Sequence, residues 1–181
     1  MKTAIFLERD GILNLARSEG DEQIAPLTLE QFKINEKAIV PLRLLRSAGV
    51  LLIATTNQPG MSEGNLSRWD LDRMHQMLQL TFSLDDIFVC PHSVDDFCPC
   101  RKPSSGLFTE AAFKHNLDLE HSFVISDKWQ DAEAARVIGA TSLLVDSPWI
   151  GDGHHDFVLP DFSTVVKKIV QLKRSQIANC A

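Results

Sequence analysis

Five apolar runs of five to seven residues constrain this chain more than any other feature: TAIFL (3–7), VLLIATT (50–56), DIFVC (86–90), SFVIS (122–126) and SLLVD (142–146). Runs this short, rich in Val, Ile, Leu and Phe, predict strands buried on both faces. Helical spacing fills the gaps between them. EKAIVPLRLLRSAG (36–49) ends on a glycine, and NLSRWDLDRMHQMLQLTF (65–82) sets Leu71, Met74 and Leu78 on one face. SGLFTEAAFKHN (105–116) opens with a serine cap, DAEAARVIGA (131–140) closes at Gly139, and a last helix is expected from Ser163 to about Arg174. Strand–helix alternation of this kind predicts a Rossmann-like, doubly wound α/β fold: a parallel sheet with right-handed crossovers and helices on both faces. In such sheets ligands bind beyond the carboxyl ends of the strands.

The chain has 181 residues, 44% apolar and 23% charged, which suits a single domain over 1–181 with one inserted loop at 90–100. A net charge of −6 offers no basic field for nucleic acid or anionic lipid. The start, MKTAIFLERDG, holds too short an apolar stretch for a signal peptide, and nowhere do about 18 apolar residues run together, so a cytoplasmic protein that spans no membrane is expected. The oligomeric state is not readable, although a monomer is the simplest expectation.

Polar chemistry gathers at the predicted strand ends. Glu8 and Asp10 follow the first strand, and TTNQPG (55–60) follows the second. The third leads into a Cys/His loop and Arg101–Lys102, and the fourth into SDKWQD (126–131). Each has a plainer reading as a turn, a helix cap or a solvated charge. Their recurrence at four strand ends in one order favours a shared site. Residues i and i+2 of a strand face one side, so Glu8 and Asp10 would share one small volume. A carboxylate can attack phosphorus to give an acyl phosphate, while a second acid protonates the leaving oxygen and later deprotonates water. Glu8 and Asp127 would supply carboxylates to Mg²⁺, which prefers oxygen ligands. The Thr56 hydroxyl and the Lys102 ammonium would hold the transferring oxygens.

The loop CPHSVDDFCPC (90–100) offers Cys90, His92, Cys98 and Cys100 within eleven residues. That donor set suits a closed, structural Zn²⁺ site. A reduced metal-free loop and a disulfide are the alternatives, and both are disfavoured in a chain with no export signal. A nucleic-acid-binding finger would need a basic surface where this loop has Asp95 and Asp96. The lone His154–His155 pair in GDGHHDF reads as a solvated loop.

The ordered set FLERDGILN, TTNQPG, CRKP and SDKWQDAEAA resembles the haloacid-dehalogenase-like phosphatases, over about Lys2 to Val145. It is similar within them to the small zinc-containing branch of heptose-bisphosphate and histidinol-phosphate phosphatases. The resemblance implies a minimal cap and a small phosphorylated metabolite as the only partner. It places Glu8 at the nucleophile position and Asp10 at the general acid/base position. Asp10 would also lend its backbone carbonyl to Mg²⁺. Thr56 and Lys102 match the phosphate-binding pair, with Asn57 and Arg101 in substrate-contacting positions. Asp127 matches the magnesium carboxylate, and Lys128 and Asp131 support it.

Two residues depart from the family pattern. Ser126 stands where glycine is usual. Glu8 stands where the family has aspartate, and one added methylene extends the carboxylate by about 1.5 Å. A misplacement of about 1 Å can cost on the order of 100-fold in rate. The enzyme is therefore expected to have shifted its backbone, to work slowly, or to bind phosphosugars without turnover. DGILN and the 61–78 segment favour a heptose 1,7-bisphosphate substrate, whereas the short His92-to-Cys98 gap favours histidinol phosphate.

Overall fold

In the computed structural model, which describes residues 1–19 and 22–179, Ala4–Glu8 forms a strand (β1) with every residue buried. Its side chains alternate between two separate cores. Ile5 and Leu7 join one, Ala4 and Phe6 the other. That alternation explains why the run is continuously apolar: both faces of the strand are covered.

The remaining strands of the main sheet are Leu51–Asn57 (β2), Asp86–Cys90 (β3), Phe123–Ser126 (β4), Thr141–Val145 (β5) and Phe157–Leu159 (β6). All pairings are parallel, in the order β6-β5-β4-β1-β2-β3. The chain winds outward from β1 in one direction and then returns to build the other half. The crevice this creates lies at the carboxyl end of β1, where the order reverses.

Among the described residues five α-helices cover the sheet: Ile39–Ser47 (α1), Arg68–Phe82 (α2), Gly106–His115 (α3), Trp129–Ile138 (α4) and Phe162–Asn179 (α5). Leu42 and Leu45 of α1, Leu71, Met74 and Leu78 of α2, and Val165 and Ile169 of α5 fill one core. Leu107, Phe108 and Ala111 of α3 pack with Ala134 and Ala135 of α4 in the other. The periodic residues that predict α2 are the ones it buries.

Three features exceed the sequence expectation. The stretch 14–34, to which the sequence reading assigns no element, carries two small antiparallel ribbons, Asn14–Leu15 with Lys33–Ile34 and Arg17–Glu19 with Glu22–Ile24. A sixth sheet strand appears at Phe157–Leu159, and α5 runs five residues past Arg174. Among the described residues no helix is long and apolar enough to cross a membrane.

Candidate active site

Glu8 is the last residue of β1, in register with Thr55 of β2. Its carboxylate oxygen Oε2 pairs with the Lys102 ammonium, and Oε1 accepts the Asp10 backbone N–H at 3.3 Å. Lys102 is buried and also donates to Asp131 Oδ1 at 2.7 Å and to the Thr55 carbonyl at 3.1 Å. One ammonium thus lies between two carboxylates. Burial acts to raise the pKa of Glu8, but Lys102 and then Lys128 outweigh it and hold the group below its ordinary value. Burial pushes Asp131 up to about 6, against the pull of Lys102. Burial would lower Lys102, and Asp131 and Glu8 raise it instead.

Asp10 is clamped from three sides. Arg9, fully buried, gives Nη2 to both carboxylate oxygens at 3.0 Å. Asn14 Nδ2 donates to Oδ1 at 3.0 Å, and Gln58 Nε2 to Oδ2 at 2.7 Å. Burial opposes ionisation, yet Arg9 and Lys128 win and keep Asp10 below its ordinary pKa. Behind Arg9, His75 of α2 lies 3.5 Å from Nη1. Burial and the neighbouring guanidinium depress His75 to about 4, so it faces Arg9 as a neutral ring.

Thr56 is fully buried, its Oγ1 accepting from Gln58 Nε2 at 2.8 Å. Asn57 spends its amide on the next loop: Nδ2 donates to the Lys102 carbonyl and Oδ1 accepts the Lys102 N–H, both at 3.0 Å. It therefore fixes the lysine's backbone while also lining the cleft. Asp127 Oδ2 accepts Gln23 Nε2 at 2.7 Å from the 22–24 ribbon strand. Ser126 is used rather than merely tolerated, since its hydroxyl donates to Asp131 Oδ2 at 2.9 Å and accepts the Lys128 N–H at 3.1 Å.

The Lys128 ammonium marks where these oxygens converge. It lies 2.5 Å from the Asp10 carbonyl, 3.1 Å from Asp127 Oδ1 and 3.8 Å from Glu8 Oε1. Burial would lower its pKa, but Glu8, Asp127 and Asp10 raise it. Three hard oxygens around one cationic point are a donor set that fits Mg²⁺. Gly11 keeps this point open. At φ +101° it adopts a conformation that L side chains rarely take, and a Cβ there would collide with Asp127 Oδ2. Glu8, Asp10, Asn57, Arg101, Lys102, Lys128 and Asp131 line one cleft of about 490 Å³.

Known proteins resemble this chain along most of its length. The 7-phosphatase of D-glycero-β-D-manno-heptose 1,7-bisphosphate from Pasteurella multocida is 31% identical, over 96% of this chain and 100% of its own. That from Helicobacter pylori strain 26695 is 35% identical, over 71% of this chain and 74% of its own. The chain belongs to the haloacid-dehalogenase-like phosphatases, in their heptose-bisphosphate branch. A family model described as "HAD-hyrolase-like" matches residues 99–162. The crystal structure of D,D-heptose 1,7-bisphosphate phosphatase from B. bronchiseptica, complexed with magnesium and phosphate, superposes with a TM-score of 0.80. It is 26% identical and covers 94% of this chain and 99% of its own.

The zinc-type loop of this phosphatase chain is assembled as its spacing predicts. Cys90, His92, Cys98 and Cys100 place their ligand atoms within 4.8 Å of one another. The close pairs run from 3.2 Å, His92 Nδ1 to Cys100 Sγ, to 3.6 Å, Cys90 Sγ to Cys98 Sγ. Tetrahedral Zn²⁺ with Zn–S bonds of about 2.3 Å has ligand–ligand edges of about 3.8 Å, so a small expansion accommodates the ion. Burial and the neighbouring sulfurs push Cys100 up to about 12, which is the direction a bound cation reverses. Arg101 Nη1 donates to the His92 carbonyl at 3.0 Å, so the loop fixes the first residue of the cationic pair. Cys180 lies outside the described residues.

Sequence reasoning missed Arg9, His75, Asn14, Gln58 and Gln23. Asn14 and Gln58 sit inside the quoted motifs and could have been singled out as amides beside an acid. Arg9 lies in the same motif, but nothing in the sequence marks its guanidinium as a fully buried partner of the adjacent Asp10. His75 and Gln23 gave no signal.

Proposed function

We propose that this chain is a Mg²⁺-dependent phosphatase acting on D-glycero-D-manno-heptose 1,7-bisphosphate through an acyl-phosphate intermediate. The observation that carries the reading is the convergence of Glu8, Asp10, Lys102, Asp127 and Lys128 at the carboxyl end of β1, in a family whose relatives bear that activity. Glu8, the Asp10 carbonyl and Asp127 would hold Mg²⁺, which neutralises phosphate charge.

Glu8 is held ionised by Lys102 and is the nucleophile. One carboxylate oxygen bonds to phosphorus while the bond from phosphorus to the sugar oxygen breaks. Lys102 and the Thr56 hydroxyl hold the transferring oxygens. The sugar oxygen leaves with a proton from Asp10, and Asp10 later takes one from the water that splits the acyl phosphate. The Arg9 clamp favours the second of these roles. A phosphate dianion brought alongside raises the carboxyl's pKa and enables the first. The structural zinc loop holds Arg101 and Lys102 at the rim. The clustering of Cys90, His92, Cys98 and Cys100 as a metal-type donor set supports a cytoplasmic address.

Phosphate release from heptose 1,7-bisphosphate and from histidinol phosphate, measured with Mg²⁺ for the native chain and for Glu8→Asp, tests this reading. We expect slow release from the heptose substrate by the native chain and a gain on the order of 10- to 100-fold in Glu8→Asp. Release by neither protein would overturn the phosphatase, and preference for histidinol phosphate would overturn the substrate.

A further inference from the structure

A second chamber of about 590 Å³ adjoins the transfer cleft and shares Gln23, Arg101, Lys128 and Gln130 with it. Its far wall consists of Trp129, Pro148, Trp149 and Gly151. The two form one groove, with the carboxylates at one end, two cations in the middle and two indoles at the other end.

That wall is built, not incidental. Trp129 opens α4 one residue after Lys128, and its N–H donates to the Trp149 carbonyl at 3.1 Å. The Trp149 N–H donates to Ser147 Oγ at 3.1 Å, and Ser147 Oγ donates to the Asp127 carbonyl at 2.5 Å. Both tryptophans are thereby tied to the backbone of the acid expected to hold the metal. Gly151 lies flat against Trp129, since a Cβ on it would stand 3.5 Å from the Trp129 Cβ. Trp129 lines the chamber and nevertheless remains 42% exposed. A large aromatic ring left half in water beside cations fits a ligand surface that is apolar on one face and polar at its edges.

Charge decides which way a bisphosphate lies. The transfer cleft also extends past Pro59 and Gly60, where Glu63 lines it. An anionic group placed there meets a carboxylate. The lining of the second chamber has Arg101 and Lys128 and no carboxylate. A phosphate not being transferred is stabilised on the tryptophan side and repelled on the other.

We infer that the Trp129–Trp149 chamber is the specificity pocket for the leaving sugar. It receives the pyranose ring against the indoles, with the second phosphate directed to Arg101. The inference rests on the proposed phosphatase reading for its substrate, and it adds that this chain selects ring-bearing bisphosphates over small acyclic phosphates.

Binding and turnover test it separately. In a Trp69→Phe background, which removes the tryptophan on α2, heptose 1,7-bisphosphate should change the emission of the remaining two tryptophans, and acetyl phosphate should not. Trp129→Ala and Trp149→Ala should each raise KM for heptose 1,7-bisphosphate, lowering its kcat/KM at least five-fold more than that for acetyl phosphate. Trp129→Phe should restore most of the difference. Unchanged emission with the bisphosphate would overturn the inference, as would equal losses for both phosphates. An emission change without phosphate release would leave the pocket standing and remove the phosphatase. Release of phosphate with no differential loss in the variants would do the reverse.

Discussion

Arg9 is the residue on which the acid pair turns. A fully buried guanidinium is costly unless its charge is met, and here Asp10 meets it at 3.0 Å while His75 closes the other side as a neutral ring. His75 must stay unprotonated in the folded protein, with a pKa near 4, whereas in the unfolded chain it titrates near 6.5. Between those values the unfolded chain binds the extra proton. Stability contributed here is therefore lost as pH falls from 6.5 to 4, by up to about 1.4 kcal/mol per pH unit. Asp131, pushed up to about 6, acts with the opposite sign in part of that window, so the native curve alone does not isolate the histidine. The difference does: the unfolding free energy of the native protein minus that of His75→Gln, measured with denaturant across pH 4 to 6.5, should rise with pH. Parallel profiles would show that His75 is not the group responsible.

Lys128 makes a second residue-scale prediction. Its ammonium and a divalent cation compete for the same three oxygens, on Asp10, Asp127 and Glu8. Lys128→Met should bind Mg²⁺ more tightly by calorimetry, on the order of tenfold for about 1.4 kcal/mol of relieved competition. The same variant without Mg²⁺ should unfold at lower temperature, because like charges then face one another uncompensated. Weaker Mg²⁺ binding would mean that Lys128 does not contest the site.

Among the elements, the 90–104 segment contributes most to the site relative to its own order. It has one short 3₁₀ turn, at Val94–Asp96, yet it delivers Arg101 and Lys102 to the rim. Pinning by the Cys90, His92, Cys98 and Cys100 cluster supplies what secondary structure does not. Cys98→Ser should lose the one zinc expected per chain by elemental analysis. It should also lower Tm by on the order of 10 °C, since each kcal/mol is worth about 2–4 °C in a chain of this size. A variant with undiminished Tm would leave the cluster without a structural role. This segment was readable from donor types and spacing alone. The ribbons within 14–34 were not, because two- and three-residue strands are too short to show alternation, and their contribution to the site, Gln23 on Asp127, could not be read either.

At the scale of the molecule, the five apolar runs became the five inner and flanking strands within one residue of their expected limits. Burial on both faces is what made them legible, since a strand covered twice has no polar positions to blur its run. The sixth strand, Phe157–Leu159, is half-buried throughout and gave no such run. The site was legible for a related reason. A parallel sheet brings every strand's carboxyl end to one rim, so acids and cations after successive strands had to meet there. Residues that reach the rim from helices or ribbons, His75 and Gln23, carry no such positional constraint. Neither does the side chain of Arg9, whose course depends on its packing.

The central claim is that this rim holds a divalent cation and a phosphate together. A crystal structure of the protein with Mn²⁺ in place of Mg²⁺ and with orthovanadate, located by manganese anomalous scattering, tests it most directly. The account predicts one manganese peak bounded by the Glu8 carboxylate, the Asp10 carbonyl and Asp127, with Lys128 moved aside and vanadate against Thr56 and Lys102. Manganese bound elsewhere, or vanadate out of reach of Glu8, would contradict it.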